Sequence, residues 1–316
     1  MLKIVIYLGS NCNLNCKYCH REKTIEYDVS NELIEYLSNR ECIVEFKGGE
    51  PTLYMKAIKK IVSIANKAKF KITTNGVLLD KYIEYFKENN FHITISYDGN
   101  NNVRSYNPLT KPLHYDNVSI STTLSHNNCD IEKILDDFID RSLVINKWLY
   151  FYFHLAHYTT KSNEMYALTD DDYKNVLFQI KNGLNIYKED IEKYHTINMR
   201  YRSLYLGLLR QLNNNYIYGE TFCANSNTKR IDLTNQQYNC LYIRDTKLDD
   251  DWLKYQQSLI SNKYPKCIKC NVYNMCGAGC IKSIYHNKEC TFYFSLYNWF
   301  KEWYYNNKEV LDSVEN

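Results

Sequence analysis

Three cysteines within eight residues, Cys12, Cys16 and Cys19, constrain this chain more than any other feature. They stand in the segment Cys12-Asn-Leu-Asn-Cys16-Lys-Tyr-Cys19, directly after a short apolar run over residues 3–8 that reads as a β-strand. Three thiolates so spaced can wrap one face of a 4Fe–4S cluster and leave the fourth iron without a protein ligand. Incomplete ligation is what chemistry requires, because a substrate or cofactor can then bind the open iron. Two other readings compete: a structural zinc, which normally takes four protein ligands, and chance clustering in a chain that holds 12 Cys.

The remainder of the chain sets the context. Its 316 residues allow one large domain plus a smaller one. A net charge of +3 gives no strong pull toward nucleic acid or a membrane surface. The apolar stretches are far shorter than a membrane span. The first eight residues lack the length and the small-residue cleavage site of a signal peptide. The expectation is a cytoplasmic protein whose cysteines ligate metal rather than pair as disulfides.

Apolar periodicity predicts strands over residues 3–8, 43–46, 71–74, 92–97, 118–124 and 148–155. Helices are predicted over 31–38, with Ser30 as N-cap, and over 55–68, 79–88 and 131–139. Six strands with helical or long connections point to the α/β class, as an open, partial (β/α)6 TIM-like barrel. Its site would lie at the C-terminal strand ends. Residues 170–213 read as mainly helical. Seven cysteines then follow: Cys223, Cys240, Cys267, Cys270, Cys276, Cys280 and Cys290. The expected division is a barrel over 1–200, a helical bridge over 201–222, and a small cluster-binding domain over 223–316. A final helix is predicted over 291–305. Its many aromatics, from Phe292 to Tyr304, are expected to pack against the barrel, with a substrate-facing wall as the alternative.

The Cys12-x3-Cys16-x2-Cys19 spacing after a first strand resembles the radical S-adenosylmethionine (SAM) superfamily. The resemblance implies a 4Fe–4S cluster on these three catalytic cysteines, whose open iron chelates the amino and carboxylate groups of SAM. Reductive cleavage would then yield a 5′-deoxyadenosyl radical that abstracts hydrogen from the substrate. Tyr18 matches the aromatic before the third cysteine, with its backbone expected near the adenine. Three further segments match in order. Gly48-Gly49-Glu50-Pro51 is similar to the family's GGEP element, Thr73-Thr74-Asn75-Gly76 to its TNG, and Ser96-Tyr97-Asp98-Gly99 to its S-x-D-G. The implied SAM contacts are Tyr18, Gly48, Gly49, Glu50, Thr74, Asn75, Ser96 and Asp98. The resemblance covers roughly residues 1–155.

The later cysteines resemble the SPASM extension of radical enzymes that modify peptides and proteins. Cys267-x2-Cys270-x5-Cys276-x3-Cys280 includes Cys276-Gly-Ala-Gly-Cys280, close to the family's CGxGC. Where the family has glycine five residues before its second cysteine, Asn235 stands here. Asparagine tolerates the left-handed conformation better than most residues. Carried over by position, Cys267, Cys270, Cys276 and Cys290 would ligate an outer auxiliary cluster. Cys223, Cys240 and Cys280 would hold an inner one, making three 4Fe–4S clusters in all. Residues 215–222 supply no further cysteine, so the inner cluster has three assigned ligands. A substrate thiolate, water, a backbone group or Asp232 could be its fourth. Cys42 reads as a small buried residue and Cys129 as a spare thiol.

The implied function is modification of a ribosomally made peptide, by a thioether or C–C crosslink, epimerisation or cleavage. The alternative is a sulfatase-maturase-like oxidation of a protein Cys or Ser. Members of that group usually carry an acidic residue after the second auxiliary cysteine, whereas Leu241 follows Cys240. A non-enzymatic iron–sulfur electron carrier would explain the cysteines but not the strand-end turns, and a methyltransferase lacks a cobalamin-type domain here. Expected partners are the peptide or protein substrate and a flavodoxin- or ferredoxin-type electron donor. The first ligand comes at Cys12, so no leader-binding module is expected to be fused, and a separate protein could supply one. His154 and His157 are candidates for lining the barrel as proton or hydrogen donors, with satisfied core positions as the alternative.

Overall fold

The computed structural model describes residues 1–19, 28–99, 103–110, 114–158, 161–238 and 251–315. Seven strands form one parallel sheet: β1 (Leu2–Tyr7), β2 (Cys42–Lys47), β3 (Lys69–Thr74), β4 (His92–Ser96), β5 (Val118–Leu124), β6 (Tyr150–Leu155) and β7 (Thr228–Asp232). Their order is β6-β5-β4-β3-β2-β1-β7, an open sheet whose first six strands stand in sequence order. Between them run α1 (Asn31–Leu37), α2 (Met55–Ile64), α3 (Leu79–Glu88) and α4 (Ile131–Ile145). The two long helices α5 (Asp170–Tyr194) and α6 (Met199–Leu212) follow β6. Helices α7 (Trp252–Lys263), α8 (Tyr273–Cys276) and α9 (His286–Glu315) complete the C-terminal region.

Local chemistry explains most of these boundaries. Ser30 caps α1 as expected, its hydroxyl accepting from Leu33 N–H. Helix α2 stops at Ile64, earlier than predicted, because the chain turns through Ala65 to Ala68. This lets β3 start at Lys69, opposite Ile43. Helix α4 runs six residues past its predicted end and stops where Asn146 turns left-handed at φ +52°. Helix α9 spans 30 residues, twice the predicted length.

Sequence reading missed β7. Its stretch Thr-Lys-Arg-Ile-Asp is mostly polar, so it carries no apolar signal, yet it pairs in parallel with β1 from Lys3↔Thr228 to Tyr7↔Asp232. A strand from the cysteine-rich region thus extends the barrel sheet. Asn235, which replaces the expected glycine just after β7, takes φ +63°, the left-handed turn anticipated for it.

The sheet is apolar outside and polar inside. On the helix-covered face lie Ile4, Ile6, Val44, Phe46, Ile72, Ile93, Ile95 and Ile120, all fully buried. Alternation sends the intervening residues to the concave face. There Lys3, Glu45, His92, Thr94, Ser119 and Tyr152 form ion pairs and hydrogen bonds. The aromatics of α9 pack largely onto α5: Phe292 meets Tyr173 at 5.5 Å, and Trp303 donates to Asn185 Oδ1 at 2.9 Å. Cys42 is fully buried in the main core, as expected.

Phe91 sits among four rings, 6.0 Å from Phe46, 5.3 Å from Phe70, 5.0 Å from Phe86 and 6.2 Å from Tyr85. Truncating it leaves a cavity that parallel strands cannot close. Phe91→Ala should therefore lower stability by about 3–5 kcal/mol in anaerobic urea unfolding. An unchanged midpoint would show that the stack is not part of the core.

Candidate active site

A parallel sheet places the loop after every strand at one edge. Here the loop after β1 carries Cys12, Cys16 and Cys19, and the loops after β2, β3 and β4 close on it. The first contact is backbone on backbone. Gly49 N–H donates to Gly9 O at 2.8 Å, and Glu50 N–H to Asn11 O at 2.8 Å. A Cβ on Gly48 would lie 2.6 Å from Gly9 O, so only glycine allows this approach.

The second contact is a buried carboxylate. Glu50 is 1% exposed. Its Oε1 accepts from Thr52 N–H at 3.0 Å, Thr52 Oγ1 at 2.6 Å and Thr74 Oγ1 at 2.7 Å, and its Oε2 from Asn75 N–H at 2.7 Å. Glu50 thus fastens the end of β2 to the end of β3. Its carboxylate is largely committed to the protein rather than presented bare to a ligand. Asn75 in turn reaches the cysteine loop, donating to Asn13 Oδ1 at 2.8 Å and to Cys12 Sγ at 3.7 Å. Leu14 N–H also points at Cys12 Sγ, at 3.4 Å. Amide donors aimed at a thiolate sulfur are the environment an iron–sulfur ligand uses.

The third contact is ionic. Asp98, fully buried, accepts from Tyr18 OH at 2.5 Å, from Arg104 Nε at 2.9 Å and from Thr123 N–H at 2.8 Å. Arg104 also donates to Tyr18 OH at 2.6 Å. Burial, then Asp98, holds the Tyr18 phenol far above its usual pKa, so it stays neutral. Burial raises the Cys16 thiol, and Arg104 opposes that rise. Arg104 was missed by sequence reading because it stands alone, outside every motif. Ser96 ends β4, half-buried, opposite Ser121. Of the sequence-predicted residues, Cys12, Cys16, Tyr18, Gly48, Gly49, Glu50, Thr74, Asn75 and Asp98 lie on these contacts.

Below these loops the concave face is charged. Glu45 pairs with Lys3 at 2.5 Å and Lys47 at 3.4 Å. Burial alone would raise its pKa, but the two lysines bring it down to about 2. His154 projects from β6 into the same space. Confinement there, with Lys47 and His157 nearby, lowers it to about 4, so it is neutral at pH 7. His157 lies beyond β6 and pairs with buried Glu289 at 2.9 Å.

In the C-terminal region Cys267, Cys270, Cys276, Cys280 and Cys290 line one cavity, together with His286 and Glu289. Burial raises Cys267 to about 11 and pushes Cys276 higher still, and the charges of neighbouring thiolates among Cys267, Cys270 and Cys290 reinforce both shifts. Cys276-Gly-Ala-Gly-Cys280 makes a tight loop, with Gly277, Ala278 and Gly279 all left-handed at φ +54°, +58° and +60°. A Cβ on Gly277 would meet the Tyr216 ring at 2.9 Å. Cys223 lines a different cavity, beside Arg230 and Trp252, and Cys240 lies outside the described residues. Asp232 is occupied: its Oδ1 accepts from Thr234 N–H, Thr234 Oγ1 and Gln236 N–H. Cys129 donates to Asp172 Oδ1 at 3.4 Å, and burial with that carboxylate raises it to about 12. Among the described residues no three His, Cys, Asp or Glu side chains converge closely enough for a single metal ion.

Residues 6–123 match the Radical SAM superfamily. This segment is a radical SAM domain. It is 32% identical over 119 residues to the cysteine-type anaerobic sulfatase-maturating enzyme of Clostridium novyi, covering 29% of this chain and 30% of that protein. The matched parts span 30–39% of the length of such curated relatives. Solved structures match more broadly. The fold of native anSMEcpe with bound AdoMet and Kp18Cys peptide superposes with a TM-score of 0.67 and 18% identity, over 100% of this chain and 99% of that one. Streptococcus suis SuiB bound to precursor peptide SuiA gives 0.58 and 19% identity, over 90% of this chain and 72% of that one. These likenesses show a shared open α/β fold. No described helix is long and apolar enough to cross a membrane.

The radical SAM domain depends on the Glu50 carboxylate for its loop geometry. Glu50→Gln replaces one acceptor oxygen by an NH2 group that must face N–H or O–H donors. We expect a loss of about 1–3 kcal/mol in urea unfolding and slower 5′-deoxyadenosine formation. Wild-type behaviour in both assays would show that the carboxylate is dispensable.

Proposed function

We propose that the chain is a radical SAM enzyme that modifies a ribosomally made peptide. The observation that carries this reading is the convergence of the three-cysteine loop with the GGEP, TNG and Asp98–Arg104–Tyr18 groups at one edge of the sheet, above a polar concave face. A 4Fe–4S cluster on Cys12, Cys16 and Cys19, once bound, supplies the electron that splits SAM into methionine and a 5′-deoxyadenosyl radical. The protein's own groups do the rest. Asn75 and Leu14 N–H orient the Cys12 sulfur. Gly48, Gly49, Thr74, Ser96 and Tyr18 line the loops where the nucleoside and amino-acid parts of SAM would lie. The concave face, with Lys47, His154 and Tyr152, receives the substrate.

Full-length fold likeness to a structure holding AdoMet and a peptide supports a peptide substrate. The outcome we assign is a crosslink, such as a thioether or C–C bond, or an epimerisation. Likeness to the Clostridium novyi maturating enzyme favours a second reading, oxidation of a protein Cys or Ser. Product mass and aldehyde chemistry together separate them: a crosslink removes two hydrogens, an epimerisation leaves the mass unchanged, conversion of cysteine to formylglycine exchanges sulfur for an aldehyde oxygen, and conversion of serine, which also removes two hydrogens, leaves an aldehyde that a hydrazine captures and a crosslink does not. In this proposal residues 1–200 form the barrel, 201–222 bridge to the cluster domain over 223–316, and a flavodoxin- or ferredoxin-type protein supplies electrons.

The triple variant Cys12→Ala, Cys16→Ala, Cys19→Ala should form no 5′-deoxyadenosine after anaerobic reduction while keeping its C-terminal iron. Cleavage of SAM by that variant would overturn the reading. Anaerobically reconstituted wild-type protein should bind about twelve irons per chain, four for each of three clusters. A fully active enzyme with about four would remove the auxiliary clusters from the proposal.

A further inference from the structure

The thiol cavity lies under a basic surface with an apolar centre. Residues 263–300 contain five lysines (Lys263, Lys266, Lys269, Lys282 and Lys288), no arginine and one acid, Glu289, which is 2% exposed. The chain as a whole is nearly balanced, at 39 basic and 36 acidic residues, so this excess is local. Cys267 belongs to the 3-10 turn Pro265–Lys269 and is buried, whereas Lys266, Ile268 and Lys269 of the same turn are exposed. Three residues make one turn of such a helix, so Lys266 and Lys269 share a face. Ile268 stands 51% exposed between Cys267 and Cys270. On α9, Phe294 follows Cys290 by one helical turn, lines the same cavity and is 46% exposed. Cys270, Cys276 and Cys290 are half-buried. Lys288 pairs with Asp170 at 2.9 Å, and Lys263 donates to Ile281 O at 3.2 Å. Lys266 and Lys269 pair with no acid among the described residues.

An apolar centre with a charged rim is the composition of a protein-docking surface. A rim of one sign speeds encounter with a partner of the opposite sign. We propose that this face docks an acidic one-electron carrier of the flavodoxin type, which delivers electrons to a cluster on Cys267, Cys270, Cys276 and Cys290. This rests on the reading that those four cysteines hold a cluster. Electron transfer needs close approach rather than a pocket, and Ile268 and Phe294 are at once beside the thiols and at the surface. A cluster on four thiolates is itself anionic and repels an acidic carrier. Lys266 and Lys269 offset that charge at the point of contact. In the step, the anionic hydroquinone of the carrier's flavin loses one electron to the oxidised cluster, with no proton transferred and no bond broken. A peptide substrate has to reach the loop of Cys12, Cys16 and Cys19 instead, and no residue of that loop lines this cavity.

The test uses the full chain with Cys12, Cys16 and Cys19 changed to Ala, reconstituted anaerobically, so that only the C-terminal region accepts electrons. Its iron is counted, and it is mixed by stopped flow with a flavodoxin in the hydroquinone state. Flavin oxidation is followed against ionic strength. We expect about four irons or more per chain and a second-order rate that falls as salt rises. Lys266→Glu with Lys269→Glu should keep the iron and slow the reaction about tenfold or more at low salt. It should leave reduction by photoreduced deazaflavin, a small diffusing reductant, unchanged. Ile268→Ser should slow the flavodoxin reaction at high salt too, where steering is screened. If charge reversal costs iron, Lys266→Gln with Lys269→Gln carries the same test. Retained iron with no flavin oxidation, or with a rate indifferent to salt and to charge reversal, overturns the docking assignment and leaves the cluster reading intact. So does a dimer in sedimentation that charge reversal dissociates while the flavodoxin rate is unchanged, which gives the face to a second copy. Absence of C-terminal iron in the parent protein overturns the cluster reading and the proposal with it.

Discussion

The candidate site hangs on one buried carboxylate. A polar group removed from water is tolerable only if its hydrogen-bond capacity is filled. Glu50 meets that condition with donors from two strand ends. The requirement runs both ways: Thr52, Thr74 and Asn75 must hold their places for Glu50 to be buried, and Glu50 in turn holds them. Once the ends of β2 and β3 are joined, Asn75 is set beneath the cysteine loop and Gly49 against Gly9. A loop of three cysteines would otherwise lack a fixed shape, because parallel strands give it no partner of its own.

The sheet has two faces with opposite jobs. The convex side is continuous branched and aromatic packing, which makes the barrel rigid. The concave side carries Lys3, Glu45, Lys47, His92, Thr94, Tyr152 and His154, a composition that a sealed core would not accept. These groups satisfy one another through ion pairs and hydrogen bonds across the concave face. The Asp98–Arg104–Tyr18 group is different in kind. It is a closed ion pair with a neutral phenol, and it braces the wall beside Cys16.

The cysteine-rich region is joined to the barrel by more than a linker. β7 extends the sheet beside β1, and the His157–Glu289 pair links the end of β6 to the start of α9. Glu289 stands next to Cys290 and accepts from Ser283 Oγ at 2.5 Å. The end of β6 and the thiol cavity are therefore linked through a buried carboxylate.

Motifs and periodic elements were legible in the sequence because they are local. Cysteine spacing, glycine-bearing turns after apolar strands, the Ser30 cap and the left-handed Asn235 each depend on a few neighbouring residues. Residues 79–88 and 118–124 have the bounds that periodicity alone assigned. Tertiary structure decided the rest. β7 is polar and is a strand only because β1 offers an unpaired edge. Arg104 has no motif and gains its place from Asp98 and Tyr18, the latter 86 positions away. Glu50 stands in a local motif, but the hydroxyl and amide donors that hold it at the end of β3 are brought near only by the fold. Burial belongs to the folded chain and not to any segment of it.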